Sequence, residues 1–250
     1  MDYNKWFPFE TCKDNAYNNS NIYNVFCFSH AGGSASTYRN WTLEFEGVNF
    51  ICVELPGVGT RRNEEFITNF DLIVESLAYS IEKKVGNKKF CFYGHSMGAV
   101  IAFFTANHML NNNMKIPKKI IVAGHQDPSE ENLMEFKTYM DDSALIEELK
   151  RYNATPKEML ENEEFLEIII PELRKAYKLN ESFIYSGEII SIPIIAHSGK
   201  YDSEANYEIM SKWEKTTTDN FKIREFEGDH FFMFNKAKGY KKTLIEDVLL

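Results

Sequence analysis

The stretch Phe90-Cys91-Phe92-Tyr93-Gly94-His95-Ser96-Met97-Gly98-Ala99-Val100-Ile101-Ala102 constrains this chain more than any other. It begins as an apolar, aromatic run that water would not tolerate on a surface. It passes through Gly-His-Ser-Met-Gly and continues as small and branched apolar residues with no Pro. That order reads as strand, very tight turn, helix. A turn so short forces Ser96 into a strained backbone conformation and points its hydroxyl away from the sheet. Side chains at Gly94 and Gly98 would collide with the neighbouring strand and helix. A strand that feeds directly into a helix in this way belongs in a layered α/β structure.

The flanking sequence supports that reading. Residues 22–29 and 49–55 are apolar runs typical of strands covered on both faces, and 118–124 is a third. Between them, 38–45 reads as a short helix with Trp41 on its buried side. Residues 71–85 carry an apolar stripe that includes Leu72, Ile73, Leu77 and Ile81 at helical spacing. The helix after Ser96 is expected to reach about Leu110. Strand, helix, strand, helix, strand implies a parallel sheet. The alternation then breaks. Residues 129–185 hold no convincing strand but several helical segments, 131–140, 142–152, 156–160 and 162–185. This excess length reads as a helical lid inserted between two strands. Strands resume at 192–199 and 221–226, with a helix over 206–213 between them and a Lys- and Glu-rich helix at the end. One domain spanning 1–250, with a lid at about 129–185, is the expected organisation.

Charge and cysteine usage narrow the function classes. The 250 residues carry a net charge of −9 at neutral pH, which argues against nucleic acid as a partner. Four cysteines, Cys12, Cys27, Cys52 and Cys91, show no metal-ligand spacing, and three fall inside expected strands. They read as buried thiols in a reducing compartment, so neither a metal nor a disulfide is expected. No basic-then-apolar leader and no membrane-length run is visible, and a cytoplasmic location is expected. An Asn-rich stretch over 15–24 reads as loose.

Serine chemistry needs a base within hydrogen-bond reach and a carboxylate to orient that base. Gly-x-Ser-x-Gly between a strand and a helix is the nucleophile elbow of an α/β-hydrolase, in which the chain order is Ser, acid, His. Of six histidines, only His230 lies in a loop after a late strand, preceded by Gly228-Asp229. His197 sits inside an apolar strand, His95 is fixed within the elbow, and His125 is a second-layer group at most. Asp202, in the polar turn after a strand, is the favoured acid. Asp127, Glu204 and Asp229 are the alternatives. His30-Ala31-Gly32-Gly33-Ser34 follows the first strand, where this fold supplies one oxyanion amide. The candidate donors are the amides of Ala31 and Met97. Arg61 and Arg62, after Pro56-Gly57, are candidates to meet an anionic group.

With these residues in hand, the chain resembles the type II thioesterases, stand-alone α/β-hydrolases that accompany non-ribosomal peptide and polyketide synthetases. The markers are Phe28-Ser29-His30-Ala31-Gly32-Gly33-Ser34-Ala35, Glu54-Leu55-Pro56-Gly57 and Gly94-His95-Ser96-Met97-Gly98-Ala99. Thr155-Pro156 and Pro171-Glu172-Leu173-Arg174 in the lid, and Gly228-Asp229-His230-Phe231-Phe232, complete the set. The resemblance implies a triad of Ser96, Asp202 and His230, a helical lid, no cofactor, and a monomer. It also implies an acyl thioester on the phosphopantetheine arm of an acyl- or peptidyl-carrier domain as substrate. Val58 stands where the family usually has Arg. A small-molecule esterase or acyltransferase on the same fold is the alternative, and a non-catalytic binding protein a more distant one. Because carrier proteins are often acidic, docking would need a local patch, with Lys83, Lys84, Lys88, Lys89, Lys115, Lys118 and Lys119 as candidates.

Overall fold

The computed structural model describes residues 3–9, 22–43, 47–130, 137–152, 155–234 and 239–250. Six strands form one sheet: β1 (Tyr23–Phe28), β2 (Val48–Cys52), β3 (Phe90–His95), β4 (Ile120–Ala123), β5 (Ile194–Gly199) and β6 (Phe221–Phe226). Their order is β2-β1-β3-β4-β5-β6, and every neighbouring pair is parallel. A sheet without antiparallel pairs must be covered on both faces, which explains why β4 is wholly apolar, why β3 is apolar up to its closing His95, and why both are fully buried.

Seven α-helices complete the described structure: α1 (Phe70–Val85), α2 (Met97–Asn111), α3 (Asp142–Tyr152), α4 (Lys157–Leu160), α5 (Glu163–Glu181), α6 (Tyr207–Ser211) and α7 (Tyr240–Leu249). Helices α1 and α2 pack on one face of the sheet with Met210 and Trp213. On the other face lie Tyr38 and Trp41 of a 3-10 helix and Tyr240, Leu244 and Val248 of α7. Asn69 caps α1 by accepting from the Leu72 amide, and Lys83 and Lys84 stand at its carboxyl end, where the helix dipole favours cations. The buried stripe of α1 is Phe70, Ile73, Val74, Leu77, Ala78, Ile81 and Val85. Leu72, expected in that stripe, instead points outward and is half exposed.

Other expectations shift in detail. The segment expected as a helix over 38–45 is a 3-10 helix, Ala35–Leu43, and 44–46 lies outside the described residues. Of the expected helix 131–140, residues 131–136 lie outside the described residues and 137–140 form a turn. Helix 206–213 divides into α6 and a 3-10 turn, Lys212–Thr216. The loose stretch over 15–24, apart from its last residues, and Cys12 also lie outside the described residues. Cys27, Cys52 and Cys91 are buried free thiols, and burial pushes Cys52 and Cys91 up to about 12. Among the described residues, no helix is long and apolar enough to cross a membrane.

Between β4 and β5 the chain leaves the sheet to form α3, α4 and α5. Leu145, Ile170, Leu173 and Tyr177 give these helices a small core of their own, against which Ala31 packs. Asn162 caps α5, accepting from the Phe165 amide. Arg174 of α5 reaches Asp142 and the carbonyls of Thr138 and Met140, which ties α5 to the start of α3.

Candidate active site

Parallel strands place their carboxyl ends together, and ligand-binding groups of such sheets collect there. His30 follows β1, Ser96 follows β3, Asp202 follows β5 and His230 follows β6. Ser96 joins β3 to α2 with φ 53° and ψ −127°, a conformation that a non-glycine residue rarely adopts. Tight packing on both sides enforces it. A Cβ at Gly98 would stand 2.1 Å from the Phe28 carbonyl oxygen, and one at Gly94 would stand 2.2 Å from that of Gly98. The Ser96 amide donates to Ala123 O at 2.8 Å, which fastens the elbow to β4.

Asp202 and His230 are brought together although 28 positions separate them. His230 Nδ1 donates to Asp202 Oδ2 at 2.9 Å. The other carboxylate oxygen, Oδ1, accepts from the amides of Glu204 and Ala205 at 3.0 and 3.2 Å. Burial alone would raise the Asp202 pKa. The His230 partner and the two amides outweigh it and hold the carboxyl below its ordinary value. Asp202, His230 and Ser96 are 3%, 5% and 7% exposed, so the cluster is shielded from water.

Ser96 and His230 open onto one cavity of about 190 Å³. His30, Ala31, Gly32 and Phe231 line its sheet side. Leu149, Tyr152, Thr155, Phe165, Ile169, Leu173 and Tyr177 line it from the α3–α5 region. The roof is largely apolar, and the polar groups converge at its floor. Among the described residues, no group of three or more His, Cys, Asp or Glu is placed to hold a metal ion.

A thioesterase-domain family model matches residues 23–248. The chain belongs to the thioesterase family. The gramicidin S biosynthesis protein GrsT of Aneurinibacillus migulanus is 33% identical over 234 residues, covering 92% of this chain and 89% of its own. The thioesterase PikA5 of Streptomyces venezuelae is 29% identical over 213 residues, 84% of this chain and 75% of its own. Among solved structures, YbtT, a type II thioesterase from the yersiniabactin NRPS/PKS pathway, superposes with a TM-score of 0.81. It is 25% identical and covers 92% of this chain and 93% of its own.

The other candidates of this thioesterase fall elsewhere. Asp127 is buried, but its Oδ1 accepts from the amide and hydroxyl of Ser129, away from His230. Asp229 Oδ1 accepts from the Phe231 amide. Glu204 binds Arg151 and Tyr152 of α3. His197 is buried between Tyr240 and Asp247. His125 Nδ1 donates to the Gln126 carbonyl at 2.7 Å, and the ring does not line the cavity. Arg61 does not face the cavity either. Its guanidinium lies 4.6 Å over the Trp6 ring and donates to Glu64 and the Glu54 carbonyl. Arg61 therefore serves packing, while Arg62 is exposed.

Two marker motifs gain a physical reason. Glu54 is fully buried and accepts from the amides of Ala35 and Thr60 at 2.7 and 2.9 Å, so it braces the chain just beyond the Ala31 turn. The lysine candidates for docking gather at the opposite end of the sheet. Lys84 and Lys88 border a hollow with Asn24 and Asn49 at the strands' amino ends, and Lys119 is buried with its Nζ on the Asp247 carbonyl. Sequence reasoning missed three groups beside His230. Tyr152 has its ring 4.7 Å from the His230 ring, Phe231 lines the cavity, and His95 binds the His230 backbone. Only the aromatic character of Phe231 and its place in the Gly-Asp-His-Phe-Phe motif could have signalled one of them.

Proposed function

We propose that this thioesterase is a serine hydrolase that removes acyl groups from phosphopantetheine arms of carrier domains, in an editing role in non-ribosomal peptide or polyketide synthesis. The Asp202–His230 hydrogen bond beside the cavity that Ser96 enters is the observation that carries the reading. The names of the relatives, gramicidin S and yersiniabactin systems among them, supply the biosynthetic setting.

In this reading His230 takes the Ser96 proton through Nε2 as the oxygen attacks the thioester carbonyl. Asp202 holds the ring through Nδ1 and stabilises its charged form. The Met97 amide, at the free amino end of α2, and the Ala31 amide receive the oxyanion. Losing one such donor costs about 3–4 kcal/mol of barrier. The C–S bond breaks, and His230 returns the proton to the departing thiol. Water, deprotonated by the same imidazole, then attacks the acyl-serine, and the acid leaves as Ser96 regains its proton. Every proton moves among Ser96, His230, thiol and water, so the reaction as written draws on no metal or cofactor. Helices α3–α5 act as the lid, and their apolar residues take the acyl chain.

The deciding assay offers the protein acylated carrier domains and an oxygen ester of the same acyl group. Faster clearance of the carrier thioester is expected. A strong preference for the oxygen ester would favour the esterase reading instead.

A further inference from the structure

Glu204 stands two residues beyond Asp202, and both of its carboxylate oxygens are engaged by consecutive residues of α3. Arg151 Nη2 donates to Oε1 at 2.6 Å, and Tyr152 Oη donates to Oε2 at 2.6 Å. The Glu204 amide is one of the two that hold Asp202 Oδ1. The two acidic residues of this loop thus divide the work: Asp202 holds the imidazole of His230, and Glu204 holds the lid. Arg151 is itself oriented by Glu148, at 2.9 and 3.1 Å, and by the Ser203 hydroxyl at 3.3 Å. Glu148 and Glu204 are buried, so these contacts are not the solvent-screened kind that contribute little.

The grip has a second end. Tyr152 is the last residue of α3, and its ring lies against His230 at 4.7 Å with an interplanar angle of 35°. Its hydroxyl is tied to Glu204 while its face covers the imidazole. Moving α3 would therefore uncover His230 and pull on the loop that aims Asp202 in one motion.

We infer that Glu204 is a positioning residue: by clamping Arg151 and Tyr152 it couples the seating of α3 to the alignment of Asp202 and His230. This inference rests on the triad proposed above. It requires only that α3 have a seated and an unseated arrangement with the clamp formed in the first. Glu204 reaches the chemistry through Asp202 and Tyr152 and does not itself touch the reacting atoms.

The test uses the full chain in two backgrounds. In the active protein, Glu204→Gln and Tyr152→Phe are assayed on a small acyl thioester of N-acetylcysteamine, alongside thermal melting. In a Ser96→Ala background the same substitutions are followed by amide hydrogen exchange over 142–152 and 200–206. Glu204→Gln is expected to lower melting by several degrees and, in assays run well below the melting point, to lower kcat about tenfold with KM changed less than about threefold. Exchange is expected to rise in both segments. Tyr152→Phe, a change confined to α3, is expected to raise exchange at 200–206 as well. Activity that falls only in step with melting, or a 200–206 segment indifferent to Tyr152→Phe, would overturn the coupling. Exchange is read without the nucleophile, so it decides the clamp whatever the substrate. Undiminished turnover by Ser96→Ala would instead sink the proposed function.

Discussion

His95 Nε2 lies 2.8 Å from the main-chain oxygen of His230, so the residue before the elbow serine fastens the loop that bears the imidazole. A carbonyl can only accept, so the Nε2 of His95 carries the proton. Burial, with His230 and His30 nearby, holds the His95 pKa well below its ordinary value, which keeps the ring neutral and its tautomer fixed.

Replacing that donor should loosen the loop. His95→Leu leaves a buried carbonyl unpaired, a loss of about 1–3 kcal/mol. Urea unfolding should show it, together with a lower kcat. His95→Gln, whose amide can donate, should recover part of both. Equal behaviour of the Leu and Gln variants would show that the hydrogen bond contributes nothing.

Acid should destabilise the protein well before its carboxylates titrate. Burial lowers the pKa of His30, to about 4, and also those of His95, His125 and His197. An unfolded histidine titrates near ~6.5. Below that value the unfolded chain takes protons that the native state refuses, so stability falls as pH falls. Each such histidine contributes a slope of about 1.4 kcal/mol per pH unit down to its folded value. Denaturation midpoints should therefore drop steadily from about pH 7 to about pH 5, and a flat profile would contradict this. Asp202 and Asp247, both lowered, lose their contributions only at more acid pH, as pH falls through their folded values.

Ser96→Ala should abolish turnover while circular dichroism and melting stay close to wild type. Asp202→Asn should retain the fold and lose on the order of 10⁴-fold in kcat, because the imidazole is then held in the wrong tautomer. A variant at either position that keeps substantial turnover would displace it from the proposed triad.

Asp247 offers a stability test remote from the cavity. It is fully buried and meets His197 at 3.2 Å, Lys222 at 2.8 Å and Arg224 at 2.6 Å. Asp247→Asn leaves Lys222 and Arg224 without their counter-charge and weakens the acceptor of the neutral His197. Because both cations stay partly exposed to water, a loss of about 1–3 kcal/mol is expected, or roughly 2–10 °C in melting temperature. Turnover per folded molecule, measured well below the melting point, should not change.

The sheet and the meeting of Ser96, Asp202 and His230 at its carboxyl edge were legible because local pattern encodes them. The apolar runs that became β1, β3 and β5 are short and bounded by Gly, Pro or polar turns, which favours buried strands over helices. Gly94 and Gly98 announce close backbone approach, and His230 was singled out by lying in a loop after the last strand. What escaped is set by tertiary contact. Nothing near Glu204 in sequence reveals that Arg151 and Tyr152, over fifty positions earlier, will occupy its carboxylate. Arg61 looked like an anion contact because a loop arginine after Pro-Gly is ordinarily exposed, and Trp6 is too distant in sequence to suggest otherwise. The stripe of α1 holds at Ile73, Leu77 and Ile81, but Leu72, apolar and next to it, faces water.

The strand order carries a consequence for synthesis. β1, β2 and β3 form one half of the sheet, while β4, β5 and β6 add to the other side one after another. A chain emerging amino end first can assemble the elbow while β6 is still to come. His230 arrives only after that last strand. A partly made chain would therefore display Ser96 without its proposed base. On the proposed triad, products truncated before residue 230 should be inert toward thioesters and should escape labelling by serine-directed phosphonate probes.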